Sequence, residues 1–139
     1  MYYKIISIMF LVFLFSCGKH EPIQKEKIQG YWEIKAVEMP SGKKREFKIN
    51  PIVDHIEIKG DSGIRTKVSP NLDGTFTTNG DSENFILKME NDSLRMRYKT
   101  PFDEWQETVL ETGDSILTVK NRDNKIYTYS KFVKYDLGD

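Results

Sequence analysis

"IQGYWEIKAV", residues 28–37, follows the charged and polar stretch "GKHEPIQKEK" at 18–27. Gly30, Tyr31 and Trp32 arrive together, and a period of two begins: Trp32, Ile34 and Ala36 alternate with Glu33 and Lys35. That period marks a strand with one buried face. Trp32 is one of only two tryptophans, so its place at the first turn into ordered structure calls for a reason.

The same period recurs to the end of the chain. "HIEIKG" sets Ile56 and Ile58 against Glu57 and Lys59, and "GIRTKVS" sets Ile64, Thr66 and Val68 against Arg65 and Lys67. "FILKME", "SLRMRYK", "SILTVK" and "KIYTYSKF" behave alike. Turn residues separate them at 60–63, 71–74, 79–82, 91–92, 112–114 and 121–124. With no helical stretch between, the reading is all-β: an antiparallel up-and-down meander of eight to ten short strands, closed as a small barrel. The longest break, "MPSGKKREFKINP", is expected to loop over one barrel end, with "REFKI" as a short strand.

Two hairpins can be registered. A two-residue turn at Asn91-Asp92 pairs Met89 with Leu94, Leu87 with Met96 and Phe85 with Tyr98, and puts Lys88 and Arg95 on the opposite face. A one-residue slip would turn the apolar set outward. A three-residue turn at 112–114 pairs Val109 with Leu117 and Glu107 with Val119, placing Glu107 inward beside Trp105. An inward carboxylate is costly unless paired or hydrogen-bonded. In "KIYTYSKF" two registers are open. A four-residue loop at 121–124 turns Ile126, Thr128 and Ser130 inward, whereas one extra residue turns Tyr127, Tyr129 and Lys131 inward.

Ahead of the strands, Lys4 is followed by "IISIMFLVFLFS", too short for the roughly 20 apolar residues of a membrane span and placed as a leader is. It ends in Leu14-Phe15-Ser16-Cys17, which resembles the lipobox of bacterial lipoproteins, with Phe15 bulkier than the usual occupant. The resemblance implies a signal peptide at 1–16, an acylated Cys17 with a tether to residue 27, and a folded domain at 28–139. Cys17 is the only cysteine, so no internal disulfide is available. Lys4 is the only charge in the leader; without it the 21 basic and 21 acidic side chains become 20 and 21. That balance offers nothing to a phosphate backbone, and no nucleic-acid partner is expected.

Gly30-Tyr31-Trp32 resembles the G-x-W pattern on the first strand of lipocalins and their calycin relatives. The resemblance implies that Gly30 permits a tight entry, that Trp32 plugs the closed base of the barrel, and that Lys131 packs over its ring. Lys131 stands where the family more often has Arg. It favours the last-strand register in which Tyr127, Tyr129 and Lys131 face inward. Short lipocalin-like lipoproteins of Bacteroidota-type bacteria are similar.

Catalytic chemistry is hard to find. His20 lies in the tether, and His55 points away from Ile56 and Ile58. No Cys/His cluster has metal spacing, no nucleophile elbow or phosphate loop is present, and Glu104 and Glu107 fall on opposite faces of one strand. No enzyme activity, metal or cofactor is expected. The sequence therefore suggests a lipocalin-like lipoprotein of the cell envelope, held in the outer membrane by its lipid and facing the periplasm rather than the surface. It would bind a small apolar molecule or lipid, with Phe85, Leu87, Met96, Tyr98, Trp105, Glu107, Tyr127 and Tyr129 as candidate lining. The alternative is a filled barrel acting as a structural module that contacts an envelope protein. Cys17→Ser is expected to leave an unprocessed precursor; metabolic labelling with a fatty-acid analogue checks this, and should mark the wild type alone.

Overall fold

The structure, a computed structural model, describes residues 21–135. The leader, Cys17 and His20 lie outside the described residues. A 3₁₀ turn, Lys25–Ile28, precedes nine strands: β1 Gly30–Glu38, β2 Lys44–Glu46, β3 Val53–Lys59, β4 Ser62–Pro70, β5 Phe76–Glu90, β6 Ser93–Lys99, β7 Glu104–Thr112, β8 Ile116–Lys120 and β9 Ile126–Lys131. All pair antiparallel in the order β2-β1-β3-β4-β5-β6-β7-β8-β9, and β1 also pairs with β9. Eight strands thus close a barrel, and β2, which covers only Arg45 and Glu46 of the expected "REFKI" strand and begins one residue earlier, is an extra edge beside the end of β1.

The turn at Asn91-Asp92 has φ of 50° and 61°, the type I′ geometry whose twist suits a two-residue hairpin. Phe85 pairs with Tyr98, Leu87 with Met96 and Met89 with Leu94, as the alternation requires. Phe85, Leu87, Leu94, Met96 and Tyr98 are buried, while Met89, at the barrel end, is 62% exposed. The loop between β8 and β9 spans five residues, since Lys120 pairs with Ile126. Asn124 closes it with φ 59°. The extra residue, Lys125, turns Tyr127, Tyr129 and Lys131 to the inner face.

Three expectations need correction. Val109 pairs with Val119 and Thr112 with Leu117, because β7 bulges between Val109 and Glu111; the turn moves past Thr112, and Glu107 does not face Val119. "NGDS" at 79–82 is no turn: β5 runs through it for fifteen residues, with a bulge opposite Lys67, between Thr66 and Val68, and Gly80 at φ 85°. Finally, Ile64 is 41% exposed, whereas the Arg65 side chain is only 11% exposed. The hairpin turn at 60–61 pairs Arg65 with Ile56 and Gly63 with Ile58, which puts the charged set of "GIRTKVS" on the inner face. Gly63 is required there because a Cβ would fall inside the Phe85 ring.

The two barrel ends differ. The base carries the turns at 60–61, 91–92 and 113–115 and is plugged by Ile28 and Trp32, both 0% exposed. Residues 23–27, read as tether, pack here as well: Ile23 lies against the core, the Gln24 N–H donates to Thr112 Oγ1 at 2.9 Å, and Lys25 pairs with Asp61 at 3.0 Å. Trp32 Nε1 donates to the Ile28 carbonyl at 2.7 Å. Lys131, paired with Trp32 across β1 and β9, holds its Nζ 4.7 Å from the ring centroid. Gly30, at φ 137°, leaves room for that lysine, since a Cβ would meet Nζ at 2.6 Å. A cation over an indole contributes about 0.5–1 kcal/mol at exposed sites and more where desolvated.

Outside the barrel, beyond the β5 bulge, the β4–β5 hairpin leans over β1. Phe76 stacks on Tyr31 at 4.2 Å, and Tyr31 on His55 at 4.1 Å. Leu87→Asp is expected to destabilise the protein by about 4 kcal/mol or more, losing core packing and burying an unpaired charge. Arg95→Asp, on the outer face, should cost far less. Urea unfolding of the two variants checks the register.

Candidate functional site

Inside the barrel, nearer the mouth than the base, one guanidinium gathers polar groups from four other strands. Arg65 on β4 donates from Nη2 to Asp54 Oδ2 on β3 at 2.6 Å and to the Tyr129 hydroxyl on β9 at 2.7 Å. From Nη1 it donates to Glu107 Oε2 on β7 and to the Tyr98 hydroxyl on β6, both at 3.2 Å. Its guanidinium carbon lies 5.5 Å from the Tyr129 ring centroid. Lys67, toward the mouth, donates to Asp54 Oδ1 at 2.5 Å. Two cations thus meet two carboxylates, and the cluster is neutral.

The two carboxylates respond differently. Burial alone would raise the Asp54 carboxyl, but the charges of Arg65 and Lys67, with hydrogen bonds from both, hold it below its ordinary range. Glu107 has one partner, and burial wins: its carboxyl is raised despite the pull of Arg65, with repulsion from Glu83 and Asp54 adding. Burial also pushes the Tyr129 hydroxyl up to about 12 and raises Tyr98, so both tyrosines stay neutral at any physiological pH.

Below Arg65 the barrel is filled. The space between Trp32, Ile56, Met96, Leu117, Val119 and Tyr129 amounts to about 210 Å³, none of it wide enough for a water molecule. Of the eight candidate lining residues, all face inward. Phe85, Leu87 and Met96 pack in the core. Tyr98, Glu107 and Tyr129 are committed to Arg65. Trp105 stacks on Tyr98 at 5.0 Å with Arg122 on its other side. Tyr127 lies near the rim, its hydroxyl accepting from Asn121 Nδ2 at 3.5 Å.

Above Arg65 the barrel opens. A depression of about 430 Å³ is lined by Arg65, Lys67, Asp81, Ser82, Glu83, Thr100, Pro101 and Phe102. Phe102, at the tip of the β6–β7 loop, is 96% exposed. A second depression, about 660 Å³, lies on the outer face over Ile64 and Ile86, with Glu57, Asn84, Arg97 and Lys99 around them.

Asp54, Arg65 and Lys67 escaped sequence reasoning because Ile64 and Val68 make a persuasive apolar face for the wrong side of β4. A signal was present: a two-residue turn at Gly60-Asp61 places Arg65 across from Ile56, and Glu107, read as inward, needs a cation.

Comparison with known proteins agrees with this architecture. The lipocalin-like domain family matches residues 28–124. No curated protein matches the chain. Among solved structures, a lipocalin-like protein from Bacteroides uniformis shares 11% identity over 76% of this chain and 99% of its own, with a TM-score of 0.48. Lobster apocrustacyanin A1 shares 12% identity over 81% of this chain and 66% of its own, with a TM-score of 0.47.

The pH dependence of stability should separate the two carboxylates. Glu107, with its pKa raised on folding, stabilises the fold when protonated, so stability is gained as pH falls through its folded pKa toward the ordinary value of 4.5, and is lost again as pH rises through the folded pKa. Asp54, with its pKa lowered, contributes stability that is present above the ordinary value of 3.8 and lost as pH falls through its folded pKa. Urea unfolding across pH 7 to 3 should show Glu107→Gln losing the first effect and keeping the second. Arg65→Met, which strands both carboxylates, should cost about 3–5 kcal/mol at pH 7.

Proposed function

The chain belongs to the lipocalin-like domain family, and from that premise we propose that it is an envelope lipoprotein, held in the outer membrane by an acylated Cys17 and facing the periplasm, that binds a small molecule at the open mouth of its barrel. The observation that carries this reading is the division of the barrel at Arg65: filled beneath, open above. Small-molecule sites combine apolar surface with a few placed polar groups. The mouth offers Phe102 and Pro101 as the apolar part and Lys67, Ser82 and Thr100 as the polar part. A lipid or apolar molecule would therefore lie across the rim, with a polar end toward Lys67, rather than run down the barrel. Binding suits the site better than catalysis, because Glu107, the one residue with a claim to chemistry, is already engaged by Arg65.

A second reading, a filled barrel that contacts another envelope protein, is favoured by the outer depression, where Ile64 and Ile86 are 41% and 59% exposed on one sheet face. Native mass spectrometry of the protein released from its own membrane distinguishes them. The first reading expects a small bound molecule whose occupancy falls at least about tenfold in Phe102→Asp, with thermal stability close to wild type. Ligand-free protein that co-purifies with a partner, lost in Ile86→Asp, supports the second.

A further inference from the structure

The chain enters the barrel at its base. Ile23 and Gln24 are docked there by the core and by Thr112, and Lys25 is tied to Asp61 in the β3–β4 turn. Cys17 is only six residues before Ile23, a reach of about 20 Å at full extension. Strands β1, β4 and β7 have nine residues each, about 30 Å along the strand and on the order of 23 Å along the axis at the usual tilt. Exposed apolar side chains occur toward both ends, Ile49 (89%), Ile52 (46%) and Phe102 (96%) at the mouth and Met89 (62%), Leu110 (40%) and Val133 (80%) toward the base, so they do not choose the orientation. The tether does: a mouth-down pose would need it to stretch along the whole barrel wall.

We propose that the protein stands base-down on the membrane, with the turns at 91–92 and 113–115 against the lipid headgroups and the mouth with its apolar rim directed into the envelope space. This rests on the anchoring reading of Cys17. It makes the mouth a site that samples the aqueous compartment, not one that extracts molecules from the bilayer beneath it. The exposed Phe102, Ile49 and Ile52 are then free to meet a ligand or its carrier.

Because Cys17 is the only cysteine and would be acylated, a single added cysteine is a unique labelling site. The acylated full-length protein is prepared as Asp92→Cys and Asp114→Cys at the base and as Phe102→Cys and Asp123→Cys at the mouth. Each is labelled with a fluorophore and bound to vesicles of phosphatidylethanolamine and phosphatidylglycerol (3:1) carrying a headgroup spin label. Base-down standing expects the Asp92→Cys and Asp114→Cys labels to be quenched several-fold more than the mouth labels. Equal or stronger quenching at Phe102→Cys and Asp123→Cys overturns the orientation while leaving the anchor intact. Protein that stays off the vesicles, as Cys17→Ser should, overturns the anchor reading and the orientation with it.

Discussion

A guanidinium inside a small β-barrel is a demanding guest. Left alone, the charge of Arg65 would cost several kcal/mol in desolvation, so its donors must be met. They are met by Asp54 and Glu107 and by the hydroxyls of Tyr98 and Tyr129. These four groups come from β3, β7, β6 and β9, so with β4 five of the eight barrel strands converge on one point. A slip by one residue in any of them would move its partner to the outer face and leave a buried charge unmatched. The aliphatic core supplies most of the driving force for folding and itself opposes a slip, and the arginine adds to that demand for a single register.

The same group divides the barrel by solvent. Toward the base, Trp32, Ile56, Met96 and Leu117 fill the interior, and closure is completed by Ile28 below and Lys131 over the indole. Toward the mouth, the side chains become Lys67, Glu83 and Asp81, which are exposed. Asp54 and Glu107 sit at this boundary, and their unequal response follows from geometry. Asp54 is shared by two cations and stays ionised easily. Glu107 has one cation at 3.2 Å and other carboxylates nearby. Any ligand at the mouth rests on a floor whose charge is already balanced, so recognition would depend on shape and on Lys67 and the rim.

Much of this was legible in the sequence, for identifiable reasons. The β5–β6 hairpin was readable because its turn chemistry and its alternation agree, and the last strand because Lys131 had to reach Trp32. The site was less legible. Alternation reports which face of a strand is apolar, and on β4 the apolar face is the outer one: Ile64 forms part of the outer depression and Val68 packs beyond the bulge. Hairpin register carried the opposite answer, and register is the stronger constraint because the inner face of a neighbouring strand, Ile56 and Ile58, is already fixed. The bulge in β7 left no comparable mark. An inserted residue such as Leu110 costs the sequence nothing visible, since its neighbours still alternate on either side.

"NGDS" shows why composition misled. Asn, Gly, Asp and Ser favour turns because they adopt unusual backbone angles and bond to their own main chain. Here they do both without reversing the chain. Asn79 and Asp81 bond one another, Gly80 takes φ 85°, and the result is a bulge. Between Phe76 and Asn84, β5 has β4 on one side, while its pairing with β6 begins only at Phe85. Such an edge invites pairing with other chains unless it is twisted or charged. The bulge twists it, and Asp81 and Glu83 charge it. The absent neighbour also opens the barrel wall between β5 and the β6–β7 loop, where Arg65, Lys67 and Phe102 come within reach of solvent. The residues that protect the edge are therefore the ones that line the mouth, which ties the proposed site to the fold's own defence against aggregation.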